Sequence, residues 1–209
     1  RGTYHKIGNV GAYEYWDSYT PQDLSQWIAD PDTFHSSSVI QQFNKQTAMG
    51  LNALRLYRIT GETQYRQKAV ELFGFLKSRM QHYDDTYVWN FREPAIDEDV
   101  NPDGSLITWV DVHPSRSGYQ ATEVHDIAEA YHTGIVFDPQ DIERIINTQL
   151  EVMWNGSTSN PQFGPPNAGI YPGSTAAGQY WEGLADFDAL ARSLHRDSSS
   201  NLRAQINTA

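Results

Sequence analysis

Apolar positions along this chain recur mostly with the period of a helix. Between Val39 and Ile59, Phe43, Met49, Leu51, Ala53, Leu54, Leu56 and Tyr57 occupy most of the circumference, which predicts a helix buried on several sides. Gly61 then supplies a left-handed stop. Glu62 to Met80 shows one clean stripe of Tyr65, Ala69, Leu72, Phe73, Leu76 and Met80, with Arg66, Lys68, Glu71 and Lys77 turned outward. The two read as an inner helix followed by an outer one.

A second pair has the same form. Ala121, Val124, Ile127, Ala128, Tyr131 and Ile135 make one stripe, and Gly134 ends the helix. Asp138 is a good N-cap with Pro139 at the first helical position, and Ile142, Ile145, Ile146, Leu150 and Met153 carry a further helix to Trp154. Tyr57 in LYRITG answers Tyr131 in AYHTGIVFD, so the helical hairpin reads as a repeated unit. From Gln179 to His195, Trp181, Leu184, Phe187, Ala191 and Leu194 predict a fifth helix, with its partner beginning in the tail 196–209.

The remaining stretches have other patterns. Residues 1–38 scatter Tyr4, Tyr13, Tyr15, Trp16, Tyr19 and Trp27 among Gly, Asp, Ser and Pro without a sustained period, which predicts ordered loops and one short helix capped by Thr20-Pro21. YVWNF from Tyr87 and LITWVDV from Leu106 are rich in β-branched and aromatic residues. The turn formers Asn101-Pro102-Asp103-Gly104 between them suggest a short hairpin. Asn155 to Ala177 reads as loop. The expected fold class is all-α, a series of helical hairpins over 39–195 with a small β hairpin in a loop, within one domain over 1–209.

Composition narrows the partners. A net charge of -11 opposes binding to a nucleic-acid backbone, which needs clustered Lys and Arg. No apolar run approaches the ~20 residues that span a bilayer. There is no cysteine, so nothing depends on disulfides. The chain starts at Arg1 rather than Met, which reads as a processed product or a fragment of a longer chain.

NALRLYRITGETQYRQKAVELFGFL, YVWNFREP and EVHDIAEAYHTGIVFDPQDIERIINTQLEVMW together resemble the (α/α) toroid folds of carbohydrate-active proteins, which include polysaccharide lyases, six-hairpin glycosidases and sugar epimerases. The resemblance covers roughly Gln42 to Trp154. It implies a ring of hairpins whose loops line a sugar cleft, with Trp89, Glu93, His113, Arg116, Tyr119 and His125 around it and Trp109 and Glu123 as further substrate contacts. It also implies a secreted or periplasmic protein with a polysaccharide or oligosaccharide as partner. The chain shows fewer hairpins than a closed ring needs, so the series is expected to be incomplete, its open end covered by a missing segment or by other chains.

Three chemistries fit these side chains. Elimination at a uronate needs a cation for the carboxylate, a base for the C5 proton and an acid for the leaving oxygen, and Arg116, His125 or His113, and Tyr119 supply those types. Glycoside hydrolysis needs two carboxyl groups about 5 to 10 Å apart, and Glu93, Asp97, Glu98, Asp99, Asp111 and Glu123 offer many pairs. Asp99-x-Asn101-x-Asp103-Gly104 matches the opening of a calcium loop, which Asp111 would help complete, although Val110 stands where the loop normally ends in Glu and NPDG is also an ordinary turn. The function expected is that of a polysaccharide lyase or related enzyme on a uronate-containing glycan. The alternative is a non-catalytic glycan-binding or assembly domain.

Overall fold

The computed structural model describes residues 4–16, 36–95, 118–166 and 178–194, together with Pro102. The chain divides into two compact units, one formed by 1–78 with 92–112 and the other by 79–91 with 113–209. No described helix is long and apolar enough to cross a membrane.

The first unit opens with an antiparallel sheet in the order β1 (Tyr4–Ile7), β2 (Val10–Trp16), β3 (Ser36–Ile40). Gly8 and Asn9 connect β1 to β2, and Gly8 has a φ of 59°, the conformation a two-residue hairpin loop requires. Tyr4 pairs with Tyr13 and Lys6 with Gly11, so these residues share one face of the sheet. His5 and Ala12 take the other face, where His5 Nε2 lies 3.1 Å from Oε2 of the buried Glu14.

Two helices follow, α1 (Phe43–Thr60) and α2 (Thr63–Arg79). Gly61 ends α1 in the left-handed conformation, with its N–H bonded to Tyr57 O. A Cβ on Gly50 would sit 2.8 Å from the Phe73 ring, so glycine is what lets α1 and α2 approach there. The buried residues of α1 lie in its first three turns, from Phe43 to Leu54, whereas Leu56 is 43% and Ile59 81% exposed. In α2 the predicted stripe of Ala69, Leu72, Phe73 and Leu76 is buried. So are Phe75 and Glu71, and Glu71 does not face solvent as its place on the helix suggested.

The second unit begins with a tight hairpin of β4 (Gln81–Tyr83) and β5 (Thr86–Val88), turned by Asp84 at a φ of 51°. Then come α3 (Gly118–His132) and α4 (Pro139–Asn147), and α4 continues into a π-helical turn, Thr148–Met153. Gly134 closes α3 at a φ of 71°, with Ile135 N–H returning to Ala130 O. Asp138 and Asp141 form a reciprocal capping box around Pro139. The core of this unit gathers Trp89, Val124, Ile127, Ile145, Trp181 and Leu184, and the Trp89 and Trp181 rings meet at 5.7 Å.

These observations overturn the all-α toroid. The fold is mixed, with a three-stranded and a two-stranded antiparallel sheet beside the helices. The Tyr-rich start forms strands rather than the expected loops: its runs are short and interrupted by Gly8 and Gly11, yet Gly-Asn between two short runs is itself a hairpin signal. The strand at Thr86–Val88 pairs with the segment just before it, through Gln81–Val88, His82–Tyr87 and Tyr83–Thr86, so the short local turn supplies its partner. The proposed second strand, 106–112, and the short helix after Thr20 lie outside the described residues. The fifth helix is also broken. Residues 178–181 have no regular secondary structure, Glu182–Leu184 form a single 3-10 turn, and a helical segment starts at 189 with Asp188 Oδ1 accepting from Ala191 N–H at 2.8 Å. Trp181, Leu184, Ala191 and Leu194 are buried all the same.

Candidate functional site

The helix α3 turns two different faces to its surroundings. Gln120, Glu123, Val124, Ile127 and Ala128 point inward and are buried. Gly118, Ala121, Thr122 and His125, at helical spacing, line one side of a cleft of about 510 Å³, and Gln179, Tyr180 and Glu182 line the other.

A glycine sets the distance between those walls. A Cβ on Gly183 would lie 2.8 Å from His125 Cα and 3.1 Å from its backbone N, so the turn at 182–184 rests directly on the α3 backbone. That contact brings the exposed Glu182 carboxylate to the cleft that holds the His125 imidazole. The His125 side chain is 54% exposed, and its Nδ1 lies 3.4 Å from Asp126 Oδ1, a long contact for an ion pair. Tyr180 donates its hydroxyl to Ala191 O at 2.6 Å, and its phenol is pushed up to about 12 by burial and then by Glu182 and Asp188. It therefore stays neutral and ties the cleft wall to the segment 189–194.

Behind this face runs a buried polar seam. The indole of Trp89 donates to Glu123 Oε2 at 2.6 Å, and Gln120 Nε2 donates to Trp89 O at 3.3 Å. Tyr87 donates to Asp141 Oδ1 at 2.8 Å. Its backbone N–H donates to Thr148 Oγ1 at 3.0 Å, and that hydroxyl donates back to Tyr87 O at 2.8 Å. The π-helical turn carries Gln149, whose Oε1 accepts from Trp181 N–H at 2.6 Å. The seam holds β5, α3 and α4 in register, so the outer face of α3 is displayed on a rigid base.

The residues singled out in the sequence fall in three places. Trp89 and Glu123 are bonded to each other in the core, at 1% and 0% exposure, and present nothing to a ligand. His125 lines the cleft. Tyr119 is 50% exposed on the first turn of α3, three residues from Thr122 at the cleft rim, with its ring 5.3 Å from that of Phe91. Glu93 is half-buried in the first unit. Arg116, His113, Trp109 and the calcium-loop residues Asp99, Asn101, Asp103 and Asp111 lie outside the described residues. Among the described residues no group of three His, Asp or Glu is placed to hold a metal ion.

The sequence reading passed over Gln179, Tyr180 and Glu182. Gly178 and Gly183, which bracket them, were the available signal, since two glycines five residues apart weaken a helix. The chain matches no family model, and no curated protein or solved structure is significantly similar to it.

Proposed function

We propose that the second unit binds a saccharide in the cleft between α3 and residues 179–182. The observation that carries this reading is the lining itself. An imidazole, a carboxylate, a hydroxyl, an amide and a phenol ring stand around about 510 Å³, within the usual range of small-ligand sites, with the half-exposed Tyr119 at the rim. A sugar presents alternating hydroxyl groups and C–H faces. Planar hydrogen-bonding side chains match the first and aromatic rings the second.

A second reading, elimination at a uronate, is favoured by the exposure of His125. Its side chain is 54% exposed on the cleft wall, within reach of a substrate held there. Glu182, on the facing wall, would orient the ring or the substrate. Arg116 remains the group proposed to meet the uronate carboxylate, and a glycan polymer remains the proposed partner.

Titration calorimetry with neutral and uronate oligosaccharides tests the first reading. Binding by the parent protein, weakened about tenfold or more in both His125→Ala and Glu182→Gln, supports it. Unchanged affinity in both variants, or no binding to any saccharide, removes it. The second reading is tested by incubation with uronate polymers, in which elimination creates an unsaturated sugar end that absorbs in the near ultraviolet. Binding without that product leaves a glycan-binding domain.

A further inference from the structure

The first unit holds a groove of a different character. On α1, Met49, Asn52, Ala53 and Leu56 follow the spacing of one helical stripe, and on α2, Gln64, Tyr65, Lys68 and Leu72 face them. Together they enclose about 400 Å³. Tyr13 of β2 also lines it, its backbone fixed because the N–H donates to Gln46 Oε1 at 2.9 Å and the carbonyl accepts from Gln46 Nε2 at 2.6 Å.

A charged cluster lies where Tyr13 and Lys68 line the groove. Lys68 Nζ lies 2.9 Å from the centre of the Tyr4 ring and 3.5 Å from Glu71 Oε2, and the Tyr4 ring packs on Tyr13 at 4.9 Å. Glu71 also binds Lys6 Nζ at 2.9 Å and accepts from Tyr4 and from Gln67. One buried carboxylate thus serves two ammonium groups, which leaves the cluster with an excess of one positive charge in a chain whose net charge is -11.

We propose that this groove binds a small amphiphilic carboxylate, with its head against Lys68 and Tyr13 and its apolar body along Met49, Ala53, Leu56 and Leu72. An ammonium has three donors, and at Lys68 one is directed to Glu71 and one to the Tyr4 ring. Burial lowers the Lys68 pKa although Glu71 pulls the other way, so a second anion would restore charge balance at a partly desolvated cation. Burial and then Glu71 raise the Tyr13 phenol, which keeps it protonated and able to donate to the same head. From Met49 to Leu56 the groove runs about 10 Å, the length of a medium alkyl or aryl chain. A span of about 10 Å is less than two turns of helix, which suits a small molecule better than a helix of another protein.

Calorimetric titration of the whole chain with octanoate, and with octanol as the neutral-head control, tests the proposal. Octanoate should bind saturably in the sub-millimolar range, and octanol about tenfold more weakly or worse. Lys68→Met should erase the difference between the two. Leu56→Asp, a change at an exposed position that leaves the fold intact by thermal unfolding, should abolish both. The proposal is overturned by octanoate that does not saturate at low millimolar concentration, by equal affinity for octanoate and octanol, or by undiminished octanoate binding in Leu56→Asp. It is equally overturned if an acidic amphipathic peptide binds the groove and octanoate fails to displace it.

Discussion

Trp89 and Glu123 are joined by a hydrogen bond of 2.6 Å from the indole N–H to Oε2, and both side chains are buried. Neither meets solvent as a sugar-binding group would, and both support the face that displays His125. Trp89→Phe removes the donor while keeping an aromatic ring, so it should lower stability by about 1 to 3 kcal/mol in urea unfolding and leave saccharide affinity nearly unchanged. Lost affinity with unchanged stability would mean that Trp89 meets the ligand directly.

Glu71 should control the acid limb of stability. Burial alone would raise its pKa, but hydrogen bonds from Tyr4, Lys6 and Gln67 and the charge of Lys68 outweigh that and hold it at about 2, against an ordinary 4.5. The folded state therefore binds this proton more weakly than the unfolded state. The stabilisation is complete above about 4.5 and disappears as pH falls toward 2. Denaturant midpoints measured across this window should fall less steeply for Glu71→Gln than for the parent, and an identical slope would contradict the assignment.

At the alkaline end, Tyr87 has the opposite sign. Burial and then the bond to Asp141 push its phenol up to about 12, with Arg144 opposing. The folded state holds this proton more tightly, so the contribution to stability is full below about 10 and is lost as pH rises toward 12. Near-ultraviolet titration should show fewer phenols ionising in the ordinary range in the folded parent than in the unfolded chain, with Tyr4, Tyr87 and Tyr180 among those that ionise late and Tyr13 also shifted upward. In Tyr87→Phe one of these late phenols should be missing.

The capping box gives a quantitative check on α4. Asp138 Oδ1 accepts from Gln140 N–H at 2.9 Å and from Asp141 N–H at 3.0 Å. Asp138→Ala should cost about 1 kcal/mol, and Asp138→Ser should recover most of it. Equal loss in both variants would point to a role for the charge rather than the cap.

Gly183 offers a way to open the cleft without touching its polar groups. Gly183→Ala places a methyl 2.8 Å from His125 Cα, a backbone atom that cannot rotate aside. The turn must shift, at about 1 to 3 kcal/mol for an overpacked contact, and saccharide affinity should fall with it. Unchanged affinity would show that the two walls do not act on one ligand.

The sequence by itself determined the four longer helices and several of their ends. Gly61, Gly134 and Asp138-Pro139 mark the termini seen, because helix propagation, the left-handed stop and the N-cap are set by residues within a few positions of each other. The place of His125 on the outer face of α3 follows for the same reason, since its neighbours on the helix surface are set by spacing alone. Tertiary structure decided the rest. The Tyr4–Ile7 and Val10–Trp16 strands depend on pairing with each other, and a run as short as Tyr4–Ile7 carries too little of the period of two to announce itself. Glu71 is drawn inward because Tyr4 and Lys6, more than sixty residues earlier, supply the partners that make a buried carboxylate stable, and no local pattern encodes such partners. The break at 182–184, which carries Glu182 to His125, follows from Gly183 meeting the α3 backbone, a steric contact between residues far apart in the chain.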